Sequence, residues 1–349
     1  MPAPDAPSVP APTPPDGLAQ EHVLVQSRHG LGEIVLDRPH ALNALTPGMV
    51  TTITRALRTW ADEDAIHTVL IRSALPRAFC AGGDVRLMRE WVREGRLDEV
   101  MEFFATEYEL NELIASYSKP YVALLDGVAM GGGLGLSVHG SHRVVTQHSL
   151  LAMPETAIGF FPDVGASHFL PRLAPGWGRY LGLTGARTDA AGALDSGLAT
   201  HHVPRERLGD LVEALAHEGV SALDAAHTPP APAHASPTVD PALLRVFGTT
   251  PLEELGNVLA HLPNPAAATA LTALRAASPA SLVITDRLLR QGTGDTLHAC
   301  LQRELATARA MVPDSDFDEG VRCALVERGT RPRWRDRDVR QAAVKEDVR

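Results

Sequence analysis

The sequence predicts an α/β fold with largely buried strands, followed by a helical region. Short β-type runs alternate with helical patterns in the first part of the chain, and after about residue 241 the pattern is almost entirely helical. The runs TVLIR (68–72) and YVALL (121–125) are apolar nearly throughout, which is typical of strands covered on both faces. At 349 residues the chain exceeds the usual size of one domain, so we expect one large domain with an addition, or two domains.

Local signals place the individual elements in chain order. Thr46 is a good helix cap and Pro47 suits a first helical position, so a helix is predicted to begin there, after a turn at Arg38-Pro39. The predicted strands are Val23–Gln26, Glu33–Asp37, Thr68–Arg72 and Tyr121–Leu125. Apolar spacing predicts four later helices, Pro251–His261, Ala266–Ala277, Pro279–Gln291 and Thr296–Met311.

Composition divides the chain into three parts. Residues 1–17 are rich in proline and alanine and are predicted to form a disordered tail, without the features of a secretory or transit peptide. Residues 18–205 are predicted to form the core and residues 206–349 a helical region, with a linker or loop over residues 222–241. The apolar stretch 121–138 is interrupted by Asp126 and several glycines, so we predict no membrane span there.

Charge and cysteine content exclude several classes of function. The net charge of −10 disfavours binding of nucleic acid or an anionic membrane as the main role. The three cysteines contain no CxxC pair, which argues against a disulfide framework or a structural zinc site and predicts a cytoplasmic location.

Two glycine turns follow predicted strands and open helices. They are RAFCAGGD (77–84) and DGVAMGGGLG (126–135). Glycine allows a ligand to approach the backbone, and helix N-termini present unpaired N–H groups, so two such turns could form an oxyanion hole. Close packing is the alternative role for either turn alone. The glycine order does not match a dinucleotide fingerprint, and no P-loop occurs.

Two carboxylates follow prolines in the apolar segment MPETAIGFFPDVG (153–165). These are Glu155 and Asp163. Carboxylates among apolar residues are either paired with donors or have shifted pKa values, and both conditions suit acid–base or nucleophilic chemistry. A helix cap or a structural pair is the open alternative. Ser137-Val138-His139 and Ser167-His168 lack the context of a hydrolase nucleophile, and His201-His202 lacks supporting metal ligands.

Several motifs together resemble the crotonase (enoyl-CoA hydratase/isomerase) superfamily. They are FCAGGD, KPYVALLDGVAMGGGLGLSVHG and MPETAIGFFPDVGASHFLPRL, and SPASLVITDRLLRQG and DSDFDEGVRCALVERGTRPRW are similar to its 3-hydroxyisobutyryl-CoA hydrolase branch. The resemblance implies a spiral of ββα units followed by C-terminal helices, and an acyl-CoA thioester as substrate. CoA would be part of the substrate, with no separate cofactor and no metal, and a homo-oligomer is possible.

The resemblance also implies the site residues. The oxyanion hole would be formed by the backbone N–H groups of Gly83 and Gly132. Glu155 and Asp163 would be active-site acids, and Glu107, in the segment ATEYELN, would contact the substrate. The CoA phosphates would meet arginines, for which Arg38 and Arg77 are candidates.

One departure distinguishes the branches of the superfamily. Hydratases of this superfamily work with two glutamates, and the place of the first is taken here by Gly135, whereas Asp163 stands where hydratases have glycine. The resemblance therefore implies hydrolysis of a short 3-hydroxyacyl-CoA, as in valine breakdown. Glu155 would attack the thioester or activate water, and Asp163 would bind the hydroxyl group or assist proton transfer. Isomerisation or hydration, and a non-catalytic acyl-CoA-binding protein, are the alternatives.

Overall fold

The computed structural model describes residues 22–230, 239–314 and 316–346. The predicted N-terminal tail (1–17) lies outside the described residues, as does the middle of the predicted linker (231–238).

Within the described residues, nine strands form two sheets. A six-stranded sheet has the order β1-β2-β3-β5-β7-β9, and a three-stranded sheet has the order β4-β6-β8. Apart from the antiparallel pair β1–β2, all pairings in these sheets are parallel. The strands are β1 Val23–Arg28, β2 Leu31–Leu36, β3 Thr68–Ser73, β4 Ala78–Cys80, β5 Tyr121–Leu125, β6 Val128–Met130, β7 His142–Val145, β8 Leu150–Ala152 and β9 His201–His202.

Successive strand pairs each contribute one strand to each sheet. The pairs β3–β4, β5–β6 and β7–β8 each place the first strand in the large sheet and the second in the small sheet, and helical segments follow. This arrangement is the predicted spiral of ββα units. Because β4, β6 and β8 are parallel, their carboxyl ends meet at one edge, and the segments that follow them lie close together.

Helices make up most of the remaining structure. In the first part they are α1 Pro47–Ala61, α2 Val85–Arg93, α3 Leu97–Ala115, α4 Gly132–Gly135, α5 Ala166–Phe169, α6 Trp177–Thr184 and α7 Ala190–Ser196. Later they are α8 Leu208–Glu218, α9 Ser221–Ala226, α10 Pro241–Thr249, α11 Leu252–His261, α12 Pro265–Ala276, α13 Pro279–Gly292, α14 Leu297–Met311, α15 Phe317–Val321 and α16 Val339–Glu346. Short 3-10 helices include Glu155–Ile158, and Arg322–Val326 is a π-helix.

The predicted elements agree with the structure except at the linker. Thr46 caps α1, its side chain accepting a hydrogen bond from Met49 N, as predicted. The predicted linker over 222–241 is wrong at its start, because α9 covers residues 221–226. Ala222, Leu223 and Ala226 share one face of this helix and are buried against the large sheet, so alanine-rich composition here reflects helix packing.

The hydrophobic core lies on both faces of the large sheet. One cluster, which includes Leu70, Val122 and Val144, is covered by α8 and α9. The other, larger cluster runs from Val23 to Val321 and so includes side chains from both the predicted core and the helical region.

Among the described residues, no individual helix has the length and apolar character needed to cross a membrane. Only α12 and α13 taken together reach that length and composition, and they are bent by 112° relative to each other.

Candidate active site

The carboxyl edge of the three-stranded sheet brings together three of the predicted site residues. Gly83 follows β4, Gly132 follows β6 and Glu155 follows β8. The strands are adjacent and parallel, so residues that are up to 72 positions apart in the sequence become neighbours. This edge is the candidate active site.

The two glycine turns lie close together. The N atom of Gly83 lies 3.3 Å from the position that a Cβ would occupy on Gly132. Gly83 precedes Asp84, the capping residue of α2, and Gly132 is the first residue of α4. Neither N–H group has a backbone acceptor among the described residues, which leaves both available to a ligand oxygen.

Glu107 lies directly against this pair of N–H groups. It comes from the middle of α3, is 2% exposed, and its Oε1 would be overlapped by any Cβ on Gly132. Glycine at position 132 therefore permits the close approach of carboxylate and backbone. Glu107 Oε1 has no hydrogen-bond partner among the described residues.

Glu155 approaches the same place from the other side. Its Oε1 lies 2.6 Å from the position of a Cβ on Gly131, and its Oε2 is buried without a partner among the described residues. Glu155 begins a 3-10 helix that Pro154 precedes, so its side chain is not the cap of that helix. A capping role, the alternative raised from the sequence, is therefore wrong for Glu155.

Asp163 is buried beside the other two acids and is held by Tyr108. The Tyr108 hydroxyl donates a hydrogen bond of 2.8 Å to Asp163 Oδ2. Tyr108 directly follows Glu107 on α3, so one helix supplies both an acid of the site and the donor to another acid.

The residue after Asp163 has a strained backbone. Val164 has a φ of 52°, a conformation that β-branched residues rarely adopt and that is found mostly at functional sites. His139 Nε2 donates to Val164 O at 2.8 Å, and burial lowers the pKa of His139 to about 4, so the ring is neutral at pH 7.

Glu304 of α14 holds the next turn of the chain. Its carboxylate accepts hydrogen bonds from Gly165 N (2.7 Å), Ser167 N (2.9 Å) and Ser167 Oγ (2.6 Å). Burial raises the pKa of Glu304 to about 8, and these hydrogen bonds limit the rise. A residue of the helical region thereby supports the loop that carries Asp163.

Burial shifts the pKa values of all three site acids upward. The pKa of Glu107 is raised well above its usual value by burial and then by the nearby Asp163. The pKa of Glu155 is raised by burial, by Asp163 and by Glu107. Burial raises the pKa of Asp163 to about 7, while the hydrogen bond from Tyr108 opposes the rise. A pKa of about 7 lets Asp163 hold or release a proton near neutral pH, and buried acids with shifted pKa values are typical of sites of acid–base chemistry.

The two candidate arginines differ in their surroundings. Arg38 forms an ion pair of 2.8 Å with Asp84 and donates to Ala44 O, so it supports the turn that contains Gly83. Arg77 is exposed. A role of either residue with CoA phosphates stays a prediction.

Sequence reasoning missed Tyr108 and Glu304. Tyr108 stands next to a predicted site residue, but a tyrosine in an apolar helix face is ordinarily a packing residue. Glu304 lies in a region predicted only as a helix, and nothing in its local sequence indicates that it bonds Gly165 and Ser167. Within the described parts of the chain, no group of three or more histidine, cysteine or acidic residues is arranged to hold a metal ion.

Comparison with known proteins identifies the family. A family profile described as enoyl-CoA hydratase/isomerase matches residues 31–348. The chain belongs to the enoyl-CoA hydratase/isomerase family. Within this family, the chain is 39% identical over 330 residues to the mitochondrial 3-hydroxyisobutyryl-CoA hydrolase of Mus musculus, covering 91% of this chain and 85% of the relative. It is 38% identical over 341 residues to the protein of that name from Homo sapiens, covering 95% and 88%.

Solved structures of the enoyl-CoA hydratase/isomerase family show the same fold. A structure titled enoyl-CoA hydratase, from Rhodobacter sphaeroides 2.4.1, has a TM-score of 0.83 at 37% identity and covers 92% of this chain and 94% of its own. One titled carnitinyl-CoA dehydratase, from Mycobacterium thermoresistibile, has a TM-score of 0.84 at 35% identity, with the same coverage. The predicted crotonase-like fold and family resemblance are confirmed, while the names of these relatives differ in reaction.

Proposed function

We propose that this protein hydrolyses the thioester of 3-hydroxyisobutyryl-CoA, or of a similar short 3-hydroxyacyl-CoA, to the free hydroxy acid and CoA. The observation that carries the proposal is the composition of the site. Two backbone N–H groups that have no backbone acceptor among the described residues share a site with three buried acids, Glu107, Glu155 and Asp163. The relatives named 3-hydroxyisobutyryl-CoA hydrolase support this substrate.

The packing around Gly135 argues against hydration. A Cβ on Gly135 would lie 2.8 Å from Val164 Cβ and 3.0 Å from Asn111 Nδ2. A glutamate at this position, as implied for hydratases, would not fit without moving both neighbours. Hydration is the second candidate, because two similar structures are titled hydratase and dehydratase. The site has glycine, and no second glutamate, at position 135.

The site residues divide the work of hydrolysis as follows. The N–H groups of Gly83 and Gly132 stabilise the negative charge that develops on the thioester oxygen, and removing one such donor typically costs about 3–4 kcal/mol of barrier. In one route Glu155 attacks the carbonyl carbon, the C–S bond breaks, and water then hydrolyses the mixed anhydride to the hydroxy acid and free Glu155. In the other route Glu155 removes a proton from the attacking water, so that a C–O bond forms as the C–S bond breaks. In both routes the proton released by water ends on the departing CoA thiolate.

Asp163 and Glu107 bind the substrate in this proposal. Asp163 accepts a hydrogen bond from the substrate hydroxyl or assists proton transfer. Tyr108 orients the Asp163 carboxylate by donating a hydrogen bond of 2.8 Å to it. A site that bonds a hydroxyl group discriminates strongly against analogues that lack it. We therefore expect 3-hydroxyacyl-CoAs to be preferred over plain acyl-CoAs.

The first experiment measures thiol release from a panel of acyl-CoAs with and without a 3-hydroxyl group. Release of CoA from 3-hydroxyisobutyryl-CoA well above background is expected, with crotonyl-CoA hydration, followed by enoyl absorbance, as the comparison reaction. A protein that hydrates crotonyl-CoA but releases no thiol contradicts the proposal. Binding of acyl-CoA by calorimetry without turnover would instead favour a non-catalytic binding protein.

Substitution of the acids tests their assignment. Glu155→Gln is expected to lower kcat by at least about 1,000-fold with the fold intact, because the amide is neither a nucleophile nor a base. Near-native kcat in this variant would refute the role of Glu155. Asp163→Asn is expected to reduce the preference for hydroxylated substrates, and an unchanged preference would remove the role given to Asp163.

The proposal also concerns the metabolic role of the protein, its cellular location and its oligomeric state. The proposed substrate points to valine breakdown. The cytoplasmic location expected from the cysteines stays a prediction, whereas the mammalian relatives carry the word mitochondrial in their names. Homo-oligomer formation also stays a prediction.

A further inference from the structure

Asn111 is a fully buried side chain whose polar atoms have no partner in the described structure. Its exposure is 0%, and both Oδ1 and Nδ2 lack a hydrogen-bond partner among the described residues. Buried carboxamides in native proteins nearly always form hydrogen bonds, and an unpaired one needs an explanation. Asn43 shows the usual case, because it is equally buried but bonds Ser73, Phe79 and Arg38.

The position of Asn111 indicates what the side chain serves. It lies four residues after Glu107 on α3, so the two side chains share one face of the helix. Asn111 Nδ2 is 3.0 Å from the Cβ position of Gly135, and that same position is 2.8 Å from Val164 Cβ. The carboxamide therefore lies between α4 and the residue that follows Asp163.

The chemistry of the group fits one kind of ligand. A carboxamide both accepts and donates hydrogen bonds, which matches an O–H group that donates its proton and accepts on its oxygen. Two other buried atoms that have no partner among the described residues, Glu107 Oε1 and Glu155 Oε2, are acceptors when ionised. An amide does not take up a proton at neutral pH, so Asn111 can orient an O–H group but cannot activate it.

We propose that Asn111 binds an O–H group in the active site, either the substrate hydroxyl, for which it would determine specificity, or the attacking water. This inference rests on the proposed function. The glycine at position 135 provides the room for the carboxamide, so the absence of one hydratase glutamate and the presence of Asn111 are parts of the same arrangement. Both sources of the O–H group predict a loss of activity without this amide, but with different dependence on the substrate.

The test compares Asn111→Leu with wild type on 3-hydroxyisobutyryl-CoA and isobutyryl-CoA. Leucine has the same number and branching of side-chain heavy atoms as asparagine and leaves no unpaired polar atom, so the variant is expected to have a Tm at least equal to wild type. We expect kcat/KM for the hydroxylated substrate to fall about 100-fold, the loss typical of one well-placed polar group. If the ligand is the substrate hydroxyl, the ratio of the two kcat/KM values falls; if it is water, kcat falls equally for both substrates.

Asn43→Leu is the matched control for a structural asparagine, and its Tm is expected to fall because it loses real partners. A fall in Tm for Asn111→Leu with kinetic constants within about twofold of wild type would overturn the inference. If Asn111→Leu does not fold, Asn111→Ala is measured with the same substrates and the same criteria. Failure of the proposed function gives a different result, because the wild type would then release no thiol. In that case calorimetry measures the binding of both acyl-CoAs to wild type and to Asn111→Leu, and tests Asn111 as a ligand of the substrate hydroxyl. Equal affinities of wild type and variant for the hydroxylated acyl-CoA would overturn this role.

Discussion

Single residues set the protonation of the site through a few contacts. Tyr108 is the clearest case, because it donates to Asp163 and has a pKa raised well above its usual value by burial and by the acids around it. The Tyr108 hydroxyl therefore stays protonated at neutral pH and remains a hydrogen-bond donor. The hydrogen bond favours the ionised form of Asp163 and opposes the effect of burial on its pKa.

Tyr108→Phe is expected to raise the pKa of Asp163. A hydrogen bond to a charged group contributes about 1.5–3 kcal/mol, and one pKa unit corresponds to about 1.4 kcal/mol, so the rise should be about one unit or more. The midpoint assigned to Asp163 in the profile of kcat/KM against pH should move from about 7 to higher pH.

Tyr117→Phe is the control for this prediction. Its hydroxyl donates to Leu57 O, away from the three acids, so the profile should stay where it is in the wild type. A Tyr108→Phe profile that superimposes on the wild type would show that Tyr108 does not tune Asp163.

At the scale of elements, the helical region holds the loops of the site in place. Glu304 on α14 bonds the turn after Asp163, and Ser278, before α13, donates its backbone N–H to Thr156 O beside Glu155. The Ser278 hydroxyl in turn donates to Asp316 before α15. Both acid-bearing segments therefore depend on helices that lie more than 100 residues later in the chain.

Glu304→Gln is expected to flatten the dependence of stability on pH. The pKa of Glu304 is raised from 4.5 to about 8 in the folded state, so the folded protein binds more protons than the unfolded chain between these values. Its contribution to stability is present below about pH 4.5 and is lost as pH rises through about 8. The free energy of unfolding of wild type should fall in this range more steeply than that of the variant, by up to about 1.4 kcal/mol per pH unit.

Urea denaturation from pH 5 to 8 measures this difference. The difference between variant and wild type isolates the contribution of Glu304, since the other buried acids contribute in the same way to the pH dependence of both proteins. Glu213→Gln is the control, because hydrogen bonding by Arg28 lowers the pKa of this exposed carboxyl and its contribution changes only at lower pH. Parallel slopes for wild type and Glu304→Gln would contradict the prediction.

At the scale of the whole molecule, one hydrophobic cluster joins the two predicted regions. It extends from Val23 on β1 to Val321 on α15 and includes side chains of most helices between them. Apolar burial is the dominant favourable contribution to folding, so separation of the regions would expose a shared core. The division at residues 205 and 206 stays a prediction from composition.

We expect thermal unfolding to occur in a single transition. Far-UV circular dichroism and tryptophan fluorescence should give coincident curves, because Trp60 lies in α1 and Trp177 in α6 of the shared cluster. Calorimetry should show one peak. Two resolved transitions would instead indicate that the regions after and before residue 205 unfold separately.

The sequence by itself determined the family, the fold class and the identity of the main candidate residues. Local signals placed α1 and the strands β1, β2, β3 and β5, because capping residues and apolar runs act within a few residues. The motifs around Gly83, Gly132 and Glu155 were recognisable because close approach of backbone to ligand demands glycine and the chemistry demands acids. The linker predicted from composition was wrong at residues 222–226, where alanines are buried on one face of a helix.

Only the tertiary structure decided how these residues meet. Parallel pairing of β4, β6 and β8 brings the glycine turns and Glu155 to one edge, and α3 adds Glu107, Tyr108 and Asn111 from one face. The pKa shifts arise from burial and from charges distant in sequence, and Glu304 reaches its turn across 137 residues from Ser167. Contacts between distant segments leave no local pattern in the sequence, because they depend on packing and not on neighbouring residues.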